Sequence, residues 1–303
     1  MDSERLVSIV VLNYNRPCDT VECVASLQRI NYKTYRILVV DNCSTDDSFD
    51  LLRKSLSNVE LVRTNANLGY TGGVNFGIKH ALNDGPEFIL LLNNDTVAEP
   101  DFLEHLVDAM AQNRNAAAAG GTIYCDHDKT KIWYAGGRLV RWRGLAVHDN
   151  KNKHLDPSRL NGVKRVSFIT GCMILIRASS LNDIGIQDDR FFMYLDDIEF
   201  SSRIMSKGYD LLYVPLSITY HKVIGEKESA FKLYYSVRNR LLLISLMNSG
   251  LIKVVSVIYF LSVITAKLLF WKIRNPRFFE AARSGLYDYF NSDFYKGRGF
   301  EFN

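Results

Sequence analysis

The sequence lacks the features that mark several common protein classes. Its five cysteines are odd in number, scattered and without a C-x-x-C pair, so it predicts neither a disulfide framework nor a zinc ribbon. Its net charge is only +4, from 37 basic and 33 acidic residues, which argues against a nucleic-acid partner. The N-terminal residues MDSERLVSIVV include acidic side chains and soon enter a strand-like run, unlike a cleavable signal peptide. We therefore expect the folded part to stay in the reducing cytoplasm.

Glycine signatures of common nucleotide-binding folds are also absent. The first predicted strand, residues 7–12, leads into NYNRP, where a dinucleotide-binding dehydrogenase would carry G-x-G-x-x-G. No G-K-S or G-K-T follows a predicted strand, which excludes a P-loop. A nucleotidyltransferase would need a Gly-rich loop with Lys or Arg at the first turn, and NYNRP is not one. A nucleotide bound by this chain would therefore be held mainly by side chains and a metal.

The first third of the chain shows a regular alternation of strand and helix signals. The sequence has 303 residues and is 47% hydrophobic, which is enough for a large core. Alternation of this kind predicts a doubly wound parallel α/β sheet. The predicted strands are residues 7–12, 36–40, 59–63 and 88–92, and the predicted helices are residues 19–28, 45–56, 72–82 and 100–110.

The rest of the chain is less regular until it becomes helical. Residues 120–166 contain strand-like pieces, and the polar residues 148–165 within them are typical of a mobile loop. Further on, the patterns predict a strand at 166–177 interrupted by TGC, a helix at 196–207 and a strand at 211–214 ended by proline. Two long helices follow residue 229, separated by NSG.

Polar residues and glycines follow each of the four N-terminal strands. The aliphatic run ILLL, for example, ends abruptly in Asn93, Asn94 and Asp95. Each group alone is equally well explained as a turn or a helix cap. Together they would lie along one rim of a parallel sheet, where nucleotides bind. These candidate donor-binding residues are Asn13, Asn15, Asp41, Asn67, Gly69, Gly73, Asn93, Asn94 and Asp95.

Seven motifs in order carry a family resemblance. They are SIVVLNYNRP, ILVVDNCSTDDS, NLGYTGGVNFGI, ILLLNNDTV, FITGCMILIRAS, FFMYLDDIEF and VPLSITYHKVIG. The series resembles the family 2 glycosyltransferases, in particular their bacterial rhamnosyltransferase-like branch, over roughly residues 5–240.

The resemblance implies a GT-A fold, a mixed and mainly parallel sheet with a C-terminal helical appendage. It divides the chain into a catalytic domain, residues 1–228, and a C-terminal helical region at 229–303 that associates with the membrane. The nucleotide-binding half would be about residues 1–110 and the acceptor-binding half about 111–228. The implied reaction is the inverting transfer of a sugar, with rhamnose a candidate, from a UDP- or dTDP-linked donor to a glycan or polyprenyl-linked acceptor.

The resemblance also implies roles for the donor and metal residues. Asp41 matches the residue that hydrogen-bonds the pyrimidine base, and Asn13 and Asn15 line the same pocket. Asp95 matches the last member of the D-x-D motif, a ligand for Mg2+ or Mn2+, and His221 matches a histidine that reaches the metal. Here Asn93 replaces the first aspartate of the motif, so only one carboxylate is present.

The acidic pair in FFMYLDDIEF supplies the expected catalytic base. In the family the second acidic residue takes the acceptor proton, which assigns that role to Asp197 and a nearby contact role to Asp196. Acidic residues in the first turn of a helix are also explained by the helix dipole alone. Gly171 and Cys172 match the acceptor site.

Two arginines of the helical region, Arg238 and Arg240, resemble a basic pair that meets a diphosphate in this branch. A role on the helix surface is equally consistent with their positions.

The last long helix raises the question of the membrane. Thirteen residues, 254–266, separate Lys253 from Lys267, short of the roughly 20 that a membrane span requires. A core helix, an interfacial helix and a marginal span all remain open, and the aromatic and basic residues that follow favour the interface. These basic residues are Lys267, Lys272, Arg274, Arg277, Arg283, Lys296 and Arg298.

We therefore expect a cytoplasmic enzyme on the inner face of the cell membrane, with a homodimer left open. The alternative is a catalytically inactive sugar-nucleotide-binding subunit of a polysaccharide assembly complex, which the incomplete D-x-D motif suggests.

Overall fold

The computed structural model describes residues 5–155, 162–222 and 228–297. Its strands are β1 (Val7–Asn13), β2 (Tyr35–Asp41), β3 (Glu60–Arg63), β4 (Phe88–Asn93), β5 (Thr96–Ala98), β6 (Ala116–Cys125), β7 (Asp128–Tyr134), β8 (Gly137–Val140), β9 (Leu145–His148), β10 (Lys164–Val166), β11 (Met173–Arg177) and β12 (Asp210–His221). Its helices are α1 (Pro17–Leu27), α2 (Ser48–Ser55), α3 (Gly69–Ala81), α4 (Phe102–Gln112), α5 (Leu181–Ile184), α6 (Asp196–Ser206), α7 (Ala230–Met247), α8 (Gly250–Arg274) and α9 (Pro276–Phe290).

The N-terminal strands form the parallel half of one sheet, in the order β4-β1-β2-β3. The register pairs Asn13 with Asp41 and Asp41 with Arg63, so the carboxyl ends of three strands meet at one edge. Leu12 pairs with Asn93, which brings the end of β4 to the same edge. The polar residues that follow these strands therefore share one rim, as the alternation predicted.

The other half of the sheet is mixed. β11 runs antiparallel to β4 on one side and to β6 on the other, and β12 runs parallel to β6. One face of the sheet is covered by α1, α2 and α4, and the other by α3, α5 and α6, with a separate buried core on each face. The predicted mixed α/β sheet with helices on both faces and at the C-terminus is confirmed.

In this half of the sheet one strand was largely missed and one strand prediction was wrong. The long strand β6, of sequence AAAAGGTIYC, is buried along its whole length, but alanine and glycine give no strand signal. The strand predicted at 211–214 does not end at Pro215, because β12 continues to His221 after a register shift between Val214 and Ile218. Proline is tolerated at such an irregularity because no ladder hydrogen bond is required there.

Several expectations fall outside the described residues. These are the central part of the predicted loop at residues 156–161, the VIG end of the seventh motif at 223–225, and Arg298.

The C-terminal helices differ in burial. α7 is buried along much of its length, and α9 lies against it. α8, with a mean hydropathy of 2.0 in its most apolar window, is the one helix of the described chain long and apolar enough to cross a membrane, by length and composition only. Only 17% of that window is buried, so the core-helix alternative for this segment was wrong.

Candidate active site

The ends of β1 and β2 form a buried hydrogen-bonded cluster. Asn13 donates from Nδ2 to Asp41 Oδ1 at 2.9 Å and accepts from the Thr20 hydroxyl at 2.8 Å. Asp41 Oδ2 accepts from the Ser44 amide at 3.1 Å and pairs with Arg63 Nε at 3.2 Å. Asn13 and Asp41 are fully buried, and Arg63 reaches them from the partly exposed rim. This cluster fixes the carboxylate that the resemblance assigns to base recognition.

Asn15 joins the first two strand ends outside this cluster. Its backbone φ of 53° lies in the left-handed region that asparagine tolerates. Its Oδ1 accepts from the Thr45 amide at 2.8 Å. The two loops are therefore held together on the side of the site that faces solvent.

The glycine-rich turn before α3 is held by two asparagines. Asn42 Oδ1 accepts from the Leu68 amide at 3.1 Å, and its Nδ2 donates to the Gly69 carbonyl at 2.9 Å. Asn67 Oδ1 accepts from the Gly69 amide at 2.9 Å. Asn42 is thus a central residue of this turn that the motif ILVVDNCSTDDS contained but that we did not assign.

Glycine is required at the two predicted donor-site positions of this segment by different local contacts. Gly69 has a φ of +72°, and a Cβ there would overlap the carbonyl oxygen and ring of Phe192. A Cβ at Gly73 would overlap the Leu12 side chain, so this glycine lets α3 approach β1 closely. Their predicted contacts with the donor stay predictions.

The polar end of β4 is connected to the rest of the site. The Asn93 amide donates to the Cys172 carbonyl at 2.9 Å, and Asn94 Nδ2 donates to the Thr20 hydroxyl at 2.9 Å. Asp95 Oδ1 lies 3.1 Å from His221 Nε2.

His221 reaches Asp95 because β12 is longer than predicted. In the pairing of β5 with β12, His221 lies opposite Thr96, next to Asp95. The Trp133 ring lies on the His221 imidazole with the centroids 4.7 Å apart, and this tryptophan was not assigned from the sequence. The two predicted metal residues are therefore adjacent in the fold.

The Asp95 and His221 pair fits a divalent cation completed by substrate. Apart from the 3.1 Å contact between Asp95 Oδ1 and His221 Nε2, Asp95 Oδ1 and His221 Nδ1 are buried without a hydrogen-bond partner among the described residues. In the described part of the chain no cluster of three or more His, Cys, Asp or Glu residues is found. Mg2+ is commonly held by one or two carboxylates plus substrate phosphates and water, so a two-residue site leaves room for a diphosphate.

The predicted base lies in the first turn of α6. Asp197 Oδ2 accepts from the Gly171 amide at 3.1 Å, and its Oδ1 accepts from the Ile198 amide at 2.9 Å. The Gly171 carbonyl in turn accepts from the Tyr70 hydroxyl at 2.8 Å. The backbone turn of the predicted acceptor site therefore holds the carboxylate directly.

Burial raises the pKa of both aspartates of this pair. The pKa of Asp196 is raised further by the Asp197 charge, whereas the two amide donors lower the pKa of Asp197. Asp196 is buried, and Asp197 is partly exposed. Asp197 is therefore the group of the pair that meets solvent.

The charges of Asp95 and Asp197 act on the same two side chains. Burial raises the pKa of the Cys172 thiol well above its usual range, and the charges of Asp95 and Asp197 raise it further. The pKa of the Tyr70 hydroxyl is raised in the same way, mainly by burial and then by the acidic side chains, including both of these. The turn at Gly171 and Cys172 connects the two regions by geometry, because the Cys172 carbonyl accepts from the Asn93 amide and the Gly171 amide donates to Asp197. A thiol held protonated is no nucleophile, and direct displacement requires none.

The structure contradicts both interpretations of Arg238, the diphosphate contact and the role on the helix surface. Arg238 is fully buried, and its guanidinium donates to the carbonyls of Arg190, Phe191 and Tyr295. The predicted diphosphate contact of Arg238 was therefore wrong, because its donors are taken up by backbone.

A family model described as Glycosyl transferase family 2 matches residues 8–185. The N-acetylglucosaminyl-diphospho-decaprenol L-rhamnosyltransferase of Mycobacterium tuberculosis is 26% identical over 238 residues, covering 72% of this chain and 76% of the relative. The dTDP-rhamnosyl transferase RfbF of Shigella flexneri is 24% identical over 246 residues, covering 78% of each chain.

Two solved structures are similar in fold. The mannosyltransferase PcManGT from Pyrobaculum calidifontis, in complex with GDP-Man and Mn2+, superposes with a TM-score of 0.56 at 14% identity over 96% of this chain and 76% of that chain. GalNAc-T7 with UDP, GalNAc and Mn2+ gives a TM-score of 0.60 at 18% identity over 78% of this chain. This chain matches only 48% of the GalNAc-T7 chain.

Proposed function

This chain belongs to glycosyl transferase family 2 and has a GT-A fold, and from that premise we propose that it is an inverting, metal-dependent transferase that moves a sugar to a lipid-linked glycan. Sugar transfer from a nucleotide sugar in glycan biosynthesis is the activity of the family. The observation that carries the finer proposal is that the turn at Gly171 and Cys172 bonds both to the end of β4, through Asn93, and to the Asp197 carboxylate.

The names of the curated relatives support a choice of donor and acceptor. Both are rhamnosyltransferases, and one name gives dTDP as the donor nucleotide while the other gives a diphospho-decaprenol acceptor. We assign the nucleotide to the rim formed by Asn13, Asn15 and Asp41. Rhamnose linked to dTDP is accordingly the first donor to test, and a polyprenyl diphosphate glycan the first acceptor.

Asp95 and His221 would hold the divalent cation, Mg2+ or Mn2+. When bound, the cation stabilises the negative charge that develops on the departing diphosphate. Asn93 and Asn94 supply neutral amides beside this site in place of a second carboxylate. His221 Nδ1, which is buried beside Asp95 and has no hydrogen-bond partner among the described residues, is the observation that supports a ligand at this position.

Asp197 would accept the proton of the acceptor hydroxyl. The acceptor oxygen forms the new bond to the anomeric carbon while the bond to the diphosphate oxygen breaks, and the electron pair leaves with the diphosphate. A single displacement of this kind inverts the anomeric configuration. The amide of Gly171 orients the carboxylate, and burial gives it a raised pKa suited to proton transfer near neutral pH.

A second candidate function is a sugar-nucleotide-binding subunit without turnover. The single observation in its favour is Asn93 in place of the first aspartate of the D-x-D motif. The adjacent carboxylates of Asp196 and Asp197 argue against it, because two crowded carboxylates with raised pKa have no evident purpose in a protein that only binds.

A panel of nucleoside diphosphate sugars, each with and without Mn2+, tests the proposal. We expect one donor to raise Tm by about 5 °C at a hundredfold excess over its Kd, and only with the cation present. The same donor should then release its nucleoside diphosphate when a polyprenyl diphosphate glycan is added. Binding without release from any acceptor would favour the inactive subunit, and no binding would contradict both functions.

The exposed face of α8 supports a position on the inner membrane surface. Basic residues flank this apolar face on α8 and α9. Trp142, in the turn between β8 and β9, lies 5.0 Å from the Tyr259 ring of α8, and the Arg143 guanidinium lies over both rings. Apolar, aromatic and cationic groups on one surface suit the boundary of an anionic bilayer. The most exposed apolar residues of α8 are Leu251, Ile252, Val254, Val255, Ile258, Leu269, Phe270 and Ile273.

Replacing Leu269 and Phe270 together with serine should weaken membrane binding. Each side chain is more than half exposed, and its partial insertion contributes about 1–2 kcal/mol, so loss of both should lower binding to vesicles with anionic lipid about 30- to 1000-fold. Co-sedimentation with vesicles measures the change. Leu216→Ser, at an exposed leucine of β12, is the matched control and should sediment like the wild type. If the double variant sediments with vesicles as the wild type does, α8 does not form the membrane contact.

A further inference from the structure

The segment that leads into α6, residues 190–195, has an unusual backbone. Phe192, Tyr194 and Leu195 have φ angles of 61°, 68° and 65°, in the left-handed region that non-glycine residues avoid. A conformation of this kind persists only where surrounding contacts hold it. Because α6 begins directly after this segment, its path sets the position of Asp197.

Asn239 of α7 holds three carbonyls of this segment. Its Nδ2 donates to the carbonyl oxygens of Phe191 at 2.9 Å, Met193 at 2.8 Å and Tyr194 at 3.0 Å. The side chain is fully buried, so no water competes for these bonds. A shorter side chain, or a charged one, in place of Asn239 would leave buried carbonyls without donors, which costs stability.

Arg238 holds the beginning of the same segment. Its Nη2 donates to the carbonyls of Arg190 at 3.1 Å and Phe191 at 3.0 Å, and its Nη1 donates to Tyr295 at 2.7 Å. Its Nε donates to Asn239 Oδ1 at 3.0 Å, which orients the neighbouring amide. The two side chains therefore act as one unit of donors directed at backbone.

The segment also contacts the donor side of the site. The Phe192 carbonyl accepts from the Thr71 amide of α3 at 3.2 Å, and its ring stacks on Tyr235 of α7 with the centroids 5.3 Å apart. Gly69 leaves the space that this carbonyl and ring occupy. One segment thus joins the glycine-rich turn, the base helix and the C-terminal helices.

We infer that Arg238 and Asn239 are positioning residues for the transfer reaction, a role that rests on the proposed function. They hold residues 190–195 in the one path that directs Asp197 toward the acceptor hydroxyl. Neither side chain touches donor or acceptor, because their donors are directed at backbone carbonyls. The C-terminal helical region is accordingly part of the catalytic apparatus.

Asn239→Ser tests the inference, with Ser245→Ala as the control on the same helix. Ser245 hydrogen-bonds the Tyr289 hydroxyl of α9 at 2.6 Å and makes no bond to residues 190–195. We expect Asn239→Ser to lower kcat about 10- to 100-fold while the donor KM stays within about threefold, since misplacing a catalytic group by about 1 Å has such an effect. Ser245→Ala should change neither constant.

Hydrogen exchange gives a readout that does not depend on turnover. Amides of residues 190–197 should exchange faster in Asn239→Ser than in the wild type or in Ser245→Ala. Equal exchange, or a fall in kcat no larger than that of Ser245→Ala, would overturn the inference. Absence of sugar transfer by the wild-type protein would instead contradict the proposed function, and exchange would still decide whether Asn239 holds the segment.

Discussion

Replacing Asp197 with asparagine lowers kcat by about 10³- to 10⁴-fold, at the upper end of what removal of a general base costs, and leaves donor binding intact. Asparagine keeps the shape of the side chain but cannot accept a proton. The nucleotide rim at Asn13 and Asp41 belongs to other strands and should not change. Steady-state transfer kinetics and the Tm shift with donor measure the two effects separately.

Asp196→Asn is the matched control because it removes a carboxylate from the same helical turn. Asp196 is buried, and burial and the Asp197 charge raise its pKa, so a neutral amide in its place should cost about tenfold at most. A larger loss of kcat for Asp196→Asn than for Asp197→Asn would show that Asp196, and not Asp197, is the base.

The same carboxylates make kcat and folding stability change with pH in opposite directions. Because the base must be ionised, kcat of the wild type should rise with pH through the raised pKa of the pair, and Asp197→Asn should lose this rise. A carboxyl whose pKa is raised on folding binds its proton more tightly in the folded state, so stability falls as pH increases above the unfolded value. The Tm of Asp197→Asn relative to the wild type should therefore increase from about pH 4 to about pH 8.

Replacing Asp95 with asparagine is expected to lower kcat/KM by about 10²- to 10³-fold. The loss combines weaker cation binding with poorer stabilisation of the leaving diphosphate, each of which depends on the one carboxylate of the motif. Mn2+ titration in the presence of the nucleoside diphosphate should show binding by the wild type and at least about tenfold weaker binding by the variant.

A second Asp–His pair in the protein provides the control. Asp101 and His105 lie 3.4 Å apart on the surface at α4, away from the strand ends. Asp101→Asn should leave Mn2+ binding and transfer unchanged. Wild-type Mn2+ affinity in Asp95→Asn would show that the cation, if used, is held elsewhere.

The sequence was sufficient for the family and for the parallel half of the fold. In that half the β-branched and aliphatic runs stand out from the polar strand ends, so both the strands and the shared rim follow from pattern alone. Motif order then assigned roles to Asp41, Asp95 and Asp197, and these roles stay predictions although the structure brings the residues to one site.

The sequence pattern could not predict the features that depend on tertiary contacts. The approach of His221 to Asp95 requires β12 to continue beyond Pro215, and a proline ordinarily ends a strand signal. β6 is built from alanines and glycines, and a Cβ at Gly120 or Gly121 would overlap Ile169 or Ser217 of the neighbouring segments. An arginine on a helix gives the same pattern whether its donors meet solvent, a ligand or backbone, so the role of Arg238 became evident only from its burial.

The packing of α9 on α7 has a practical consequence for work with the purified protein. Gly285 lies against the Tyr234 carbonyl, Asp288 accepts from the Tyr234 hydroxyl, and the Tyr295 carbonyl accepts from Arg238. Shortening the chain from its C-terminal end to improve solubility would remove these contacts before it removed the apolar surface of α8. Detergent, or polar substitutions on α8 itself, is the better route to a soluble and active sample.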